Sequence, residues 1–405
     1  MNNPIKTGIV GLNNLPQDLI LIGIKNPLKE ELLKHLKSRN TRKSLNIKLS
    51  QFYNLKDNEK VTLNFLLKTT KYLAKQGHKQ FSYKNLEKNI EIIGTKRGDI
   101  YIRNPKLPFN FKKEEGAYFI AAILFDGGID RQYKPHYGNI NLGMRLRIVK
   151  CAESIFGEIT SKEVNAEKRL FVRFPKTMGI ILNHCFNIGV GNKMYCNNRI
   201  PDFIFSLDKQ SKSYFLRQAF DDDGTVVEKT IGLIGVTDVK KDDFDQNKKI
   251  NFNLLEGIKE LLKDFDIDSN PLRFTKTYSN QEYRKKGEFR RYIFRFSITG
   301  RKNLDKFYRN IGFNLEYKMK KLDSTLKSYK VHQLRKGEIS KIALEACKKE
   351  RDNIAIPHLA KIINRSYRQT VMIMRGLEKK GFLKLKRPSI NVKGRRLPAI
   401  YTLTS

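Results

Sequence analysis

Two acidic stretches carry the chemistry that this sequence can do. Residues Gly116 to Asp130 read GAYFIAAILFDGGID, and residues Tyr214 to Val227 read YFLRQAFDDDGTVV. Each is an apolar run that closes on an Asp-Gly pair, Asp126-Gly127 and Asp223-Gly224. The second pair follows the first by about a hundred residues, the length of one small domain. An isolated Asp-Gly marks an ordinary turn. Two of them behind matching apolar runs are different. A helix of this kind delivers one carboxylate at its C-terminal end, and two such helices side by side bring two carboxylates together. That pairing is what a divalent-metal site for phosphodiester chemistry needs.

The elements that must position these ends are legible as periodicities. Ala117 to Phe125 is entirely apolar or aromatic, which predicts a helix buried all round. Ile140, Leu142, Met144, Leu146 and Ile148 alternate with Asn139, Asn141, Gly143, Arg145 and Arg147. That alternation predicts a strand with one buried and one basic face. A helix from Val149 to Phe156 follows, closed by Gly157. Leu170 to Phe174 predicts another strand, with Arg169 and Arg173 opposite Leu170, Val172 and Phe174, and Met178 to Ile188 predicts a helix. After the second Asp-Gly come strand material at Val226 to Val236 and a helix at Phe252 to Lys263. Strands at Leu272 to Tyr278 (with Arg273) and Arg290 to Ile298 follow, then a helix at Asn303 to Ile311. In the strand from Arg290, Tyr292, Phe294, Phe296 and Ile298 face one way, and Arg291, Arg295 and Ser297 the other. Both units read helix, strands, helix, strands, helix, and their basic strand faces suit DNA.

Over about residues 106 to 330 these features resemble the LAGLIDADG homing endonucleases. Leu216 to Gly224 is the closer match; Phe119 to Gly127 keeps the Asp-Gly end but has Leu124 at the family's earlier aspartate. Phe125 and Gln218 stand where the family has small residues that let its two central helices pack closely. The resemblance implies an α+β fold of two pseudo-symmetric repeats and a double-stranded DNA partner. It also implies Mg²⁺ held by Asp126 and Asp223. The segment from Asn187 to Lys193, followed by Ile200-Pro201-Asp202, matches the stretch leading into a second repeat. Asn310 to Phe313, followed by Lys318, Lys320 and Lys321, matches its counterpart. In the family a lysine here lies near the scissile phosphates, and the resemblance carries that role to Lys193 and Lys318; ordinary surface lysines are the alternative.

Composition points the same way. Lys plus Arg total 80 against 41 for Asp plus Glu, a formal charge of +39. This exceeds what solubility requires and argues for a polyanion, nucleic acid first and an acidic membrane surface second. No run is long enough to span a membrane, and no secretory signal is evident. Cys151, Cys185, Cys196 and Cys347 lack metal or redox spacing, which predicts reduced thiols in a cytoplasmic protein. Asp264, Asp266 and Asp268 alternate like a calcium loop but lack its closing glutamate. The termini carry none of the residues that protein splicing uses, so a free-standing monomer with internal pseudo-two-fold symmetry is expected.

The expected organisation is a mostly helical basic region over 1–105, repeats over 106–210 and 211–332, and a winged helix-turn-helix over 333–405. Residues 1–105 read either as a helical domain with a solvated basic face or as an auxiliary DNA-binding module. Lys106 to Phe109 reads as a linker between two prolines. In the last segment Ile339, Ile342, Ala343, Ala346 and Cys347 form a helical stripe. Pro357 opens a second helix, and Ser366 with Gln369 forms a capping box for a third. That third helix should present Arg368, Gln369, Thr370 and Arg375 to DNA, and the wing should present Arg387, Lys393, Arg395 and Arg396. Three functions are compatible with this reading: a metal-dependent DNA endonuclease cutting both strands, a non-cleaving DNA-binding regulator, and an RNA splicing helper.

Overall fold

The computed structural model describes residues 5–57, 60–96, 101–159, 167, 170–196, 198–240, 252–278, 289–329, 337–350, 354–392 and 395–404. The protein is a mixed α+β chain with several small sheets. It divides into two units, Met1–Tyr329 and Lys330–Ser405. Among the described residues no helix is long and apolar enough to cross a membrane.

The apolar run that precedes Asp126 forms the helix Glu114–Leu124, and every residue from Gly116 to Leu124 is buried. The helix Lys209–Asp223 packs against it. Asp208 starts the latter by accepting a hydrogen bond from the Ser211 amide. Both chains leave through glycine for the same reason. A Cβ on Gly127 would collide with the carbonyl oxygens of His136 and Ala122, and one on Gly224 with that of Phe220. The backbone turns back against its own last helical turn, and only glycine fits.

Behind the 114–124 helix lies a three-stranded antiparallel sheet of short strands, ordered Phe171–Arg173, Pro135–Gly138, Gly127–Ile129. Behind the 209–223 helix lies a four-stranded sheet, ordered Gly224–Val227, Thr230–Lys240, Phe289–Thr299, Arg273–Tyr278. Its buried face holds Ile231, Leu233, Tyr292, Phe294, Phe296 and Ile298, as the alternation predicts. The helices Asn253–Lys263 and Arg301–Asn310 also fall where expected.

The strand expected over Ile140 to Ile148 is instead the start of a long helix, Leu142–Phe156. Alternation and helical period both fit this stretch, and the helical one prevails. Met144, Ile148, Cys151, Ala152, Ile155 and Phe156 form a continuous buried stripe, while Ile140 and Leu142 are exposed. Asn141 caps the helix by accepting from the Met144 amide. Leu170 is likewise exposed, although Val172 and Phe174 are buried as expected.

Helices predominate among the described residues of the N-terminal region, among them Asn26–Lys37 and Leu63–Lys75, but a sheet accompanies them. This sheet is antiparallel, ordered Val61–Thr62, Ile20–Ile24, Ile90–Thr95, Ile102–Arg103, Glu158–Ile159. The last strand comes from beyond the 142–156 helix. Phe109 and Asn110 pair with Val10 and Ile9, and Phe109 is fully buried, so the stretch read as a linker ends in core structure, while Lys106 and Pro108 stay exposed.

The second unit has its own core of Ala343, Cys347, Leu359, Met374, Leu377 and Tyr401. Three helices, Glu338–Glu350, Ile356–Ile362 and Tyr367–Lys379, accompany a sheet ordered Ile354–Ala355, Ile400–Leu403, Leu383–Arg387. A separate hairpin pairs Ile390–Val392 with Arg395–Leu397. The Ser366–Gln369 capping box is present.

Because each unit closes its own hydrophobic core, cutting the chain after Tyr329 should leave the first unit folded. Thermal unfolding of residues 1–329 is expected to be cooperative, with a midpoint within about 4 °C of the full chain's corresponding transition, a shift worth roughly 3 kcal/mol in a unit this large. A non-cooperative melt would mean that the two cores depend on each other.

Candidate metal and phosphodiester site

The ends of the two packed helices bring Asp126 together with Asp222 and Asp223. Asp126 accepts a hydrogen bond from Asn139 Nδ2 at 3.1 Å and meets Asp222 side chain to side chain. Asp222 is held from two further directions. Tyr137 Oη donates to its Oδ1 at 2.8 Å, and Gln218 Nε2 donates to both carboxylate oxygens at 2.9 and 3.0 Å. Gln218 also donates to Tyr137 Oη at 3.1 Å. Gln218 and Asp222 are four residues apart, one turn along the same helix face. The residue that looks too bulky for close helix packing is therefore the support of a third carboxylate.

Two lysines close the helix ends. Lys193 Nζ donates to the carbonyl of Phe125, just past the last turn of the 114–124 helix. Lys318 Nζ donates to the carbonyls of Phe220 at 3.0 Å, Asp221 at 2.5 Å and Gly224 at 2.6 Å, at the end of the 209–223 helix. Helix C-termini carry about half a negative charge, which a cation there offsets. Lys318 is not the surface lysine of the alternative reading, because it is buried. Asp221 fixes its position. The Asp221 carboxylate accepts the backbone N–H groups of Asn314 and Leu315 at 3.0–3.1 Å, and so anchors the turn leading into the helix Glu316–Lys327 that carries Lys318.

The electrostatics follow from crowding. Burial raises the pKa of Asp222 well above the ordinary value, and Asp126 beside it adds to the rise against the hydrogen bonds from Gln218 and Tyr137. Burial also raises Asp126, opposed by Lys193 and Asn139. Asp223 is pushed up to about 6, first by the protein packed around it, with Lys193 lowering and Asp126 raising it. Its side chain remains accessible at the edge of a recess lined by Phe125, Lys193 and Thr237. Burial lowers the pKa of Lys318, and Asp221, Asp222, Asp126 and Asp223 all oppose that shift. Burial and Asp222 raise the Tyr137 phenol, which stays a proton donor.

Carboxylates this close need a proton or a cation between them. Among the described residues no three His, Cys, Asp or Glu side chains enclose an ion by themselves. Magnesium does not require that, since it keeps waters and takes one or two carboxylates plus phosphate oxygens. The hard oxygens of Asp126 and Asp223 fit this demand.

The arginines expected on DNA are distributed unevenly. Arg173, Arg273 and Arg295 are exposed, and Arg273 lies directly opposite Arg295 across two paired strands. Arg145 and Arg147 are not on a sheet face. Arg145 is buried and donates to the carbonyls of Asn139 and Ile140 at 2.5 and 2.8 Å, and Arg147 sits over the Tyr118 ring. Arg169 lies outside the described residues, as do the side chains of Arg291, Arg395 and Arg396. In the second unit Arg368 and Arg375 are exposed, whereas Gln369 accepts the Ser366 amide as a cap. Thr370 is fully buried, with its hydroxyl donating to the Ser366 carbonyl, and so cannot reach a base.

Sequence reasoning missed Tyr137 and Asn139, and it placed Asp222 as a stand-in for Asp223 and not beside Asp126. The four-residue spacing of Gln218 and Asp222 was the available signal; Tyr137 and Asn139 gave none. No protein-family model matches this sequence, and no curated protein matches it.

The raised carboxylates make stability fall with rising pH. A carboxyl whose folded pKa exceeds its unfolded one binds more protons folded than unfolded, so stability is highest below the unfolded pKa and is lost as pH rises through the folded one. For Asp223 that window runs from the ordinary value of 3.8 to about 6. Asp222→Asn keeps partners for Tyr137 and Gln218 and removes one charge. Urea unfolding in the absence of metal should show the variant more stable than wild type at pH 7, with the gain shrinking toward pH 4. An equal difference at both pH values would contradict the crowding described.

Proposed function

We propose that this chain is a site-specific, metal-dependent DNA endonuclease of the two-repeat LAGLIDADG form, carrying a C-terminal winged helix-turn-helix. The observation that carries this reading is the meeting of Asp126 with Asp222 and Asp223 at the ends of two packed helices, in a chain of formal charge +39. Three further features support it. The order of elements behind each acidic helix is similar, with the second sheet built from longer strands. Arg273 and Arg295 face each other on an exposed strand pair, where like charges cost stability unless an anion lies over them. The second unit has three helices, a small sheet and a basic hairpin in the order of a winged helix, with Arg368 and Arg375 on the outside of its third helix.

The chain's own residues would divide the work as follows. Arg273, Arg295 and Arg173 would seat the duplex through its phosphates. Asp126 and Asp223 would hold the divalent ion, which would polarise the scissile phosphate and activate water. Asn139 and the Asp222–Tyr137–Gln218 network would keep Asp126 in place. Lys193 and Lys318 would hold the helix ends and offset the negative charge gathered there.

Asp126 has no acidic neighbour in sequence but has Asp222 beside it in space, so neither aspartate is the more expendable. Asp126→Asn and Asp223→Asn should each slow cleavage of a selected duplex in Mg²⁺ by about 100-fold or more, since a metal ligand supports several kcal/mol of charge stabilisation. Binding should be retained. A wild-type protein that binds its selected duplex and never cuts it would make the chain a non-cleaving regulator. Wild-type cutting with full activity in both variants would remove the site assignment.

A further inference from the structure

The sequence leaves the first hundred residues open between a solvated basic face and a nucleic-acid contact. The structure narrows the choice. The helix Leu63–Lys75 exposes Lys68, Lys71 and Lys75 along one line, and all three lie in a recess with Asn13, Gln17 and Phe81. A solvated helix face is convex, whereas this one forms the wall of a groove. Phe81 is buried and rigidifies the floor. The Tyr83 phenol, also lining the recess, accepts the Asn13 amide at 2.8 Å and fixes the opposite side. Two acids adjoin the recess, and both are engaged elsewhere: Asp18 takes the Asn64 amide at 3.0 Å, and Glu87, beside Tyr83, takes the Leu12 amide at 3.1 Å. Among the described residues none of the three lysines is paired with an acid.

We propose that this groove is an auxiliary binding surface for the sugar–phosphate backbone of duplex DNA. It rests on the DNA-binding reading above and adds a contact to it. Spacing selects the ligand. From Lys68 to Lys75 the helix rises about 10 Å, at 1.5 Å per residue. A single phosphate cannot engage cations spread over that length, whereas one DNA strand presents a phosphate about every 3.4 Å of axis and can meet all three. Such contacts position a duplex without reading its sequence.

The test is a salt titration of duplex binding by the full chain. Lys68, Lys71 and Lys75 are changed together to Gln, with Lys37, Lys43 and Lys56 changed together as a control of equal charge outside the recess. Each lost phosphate contact should reduce the slope of log K against log salt by about 0.9, so the recess variant should lose about 2–3 units of slope. Its affinity should fall alike for selected and unrelated duplexes, while the control moves little. Three results would overturn the proposal and leave the DNA-binding reading standing: an unchanged slope in the recess variant, an equal loss in the control, or a loss confined to the selected duplex. An unchanged duplex slope with lost binding to phosphatidylserine vesicles would assign the groove to an anionic membrane. A wild-type chain whose duplex binding is weak and insensitive to salt would remove the DNA-binding reading itself.

Discussion

Negative charge gathered at two helix ends is the constraint on which the centre of this protein depends. A helix C-terminus already carries unsatisfied carbonyls, and an aspartate there adds a full charge to the unfavourable end of the dipole. Here two such ends lie together, with Asp222 beside Asp126 and Asp223 close by. The fold tolerates this because cations from later elements take up the carbonyls: Lys193 takes that of Phe125, and Lys318 those of Phe220, Asp221 and Gly224. Removing Lys318 would leave buried carbonyls unpaired, and removing either lysine would withdraw a cation from the carboxylates.

The same arrangement links distant parts of the chain. Asp221, on the acidic helix, anchors the start of the helix that carries Lys318, and Lys318 returns to the carbonyl of Asp221. Each element therefore holds the other. Tyr137, from the hairpin behind the first helix, reaches Asp222 at the end of the second, so the two halves share a hydrogen-bonded network as well as an apolar interface. The proposed cation would enter a site where Asp126 is already held by Asn139 and Asp222, which lowers the cost of ordering that ligand.

The apolar helix at 114–124, the acidic ends and the long strands of the second sheet were legible, because burial there follows a single period. The stretch from Ile140 to Ile148 was not. Its residues satisfy two periods at once, and only the continuing stripe through Phe156 favours the helix. Apart from a short strand legible at Asp99 to Arg103, of which Ile102–Arg103 is described, the N-terminal sheet was hidden because its strands are two to six residues long and one comes from Glu158–Ile159. Gln218 read as an obstacle to packing, since its partner Tyr137 is remote in sequence. Thr370 read as a base contact, although its helical position one turn before Met374 places it in the core. Lys318 read as a surface or phosphate-facing group, because nothing in the sequence shows which carbonyls it meets.

The central claim is that Asp126 and Asp223 share one cation-binding locus. Carboxyl ¹³C resonances of aspartate, followed during titration with Mn²⁺, test it most directly, because a paramagnetic ion broadens only nearby nuclei. Asp126, Asp222 and Asp223 should broaden together at one Mn²⁺ concentration, ahead of exposed aspartates such as Asp266 and Asp305. Broadening of Asp126 and Asp223 at separate concentrations, or of neither before the surface carboxylates, would contradict the account.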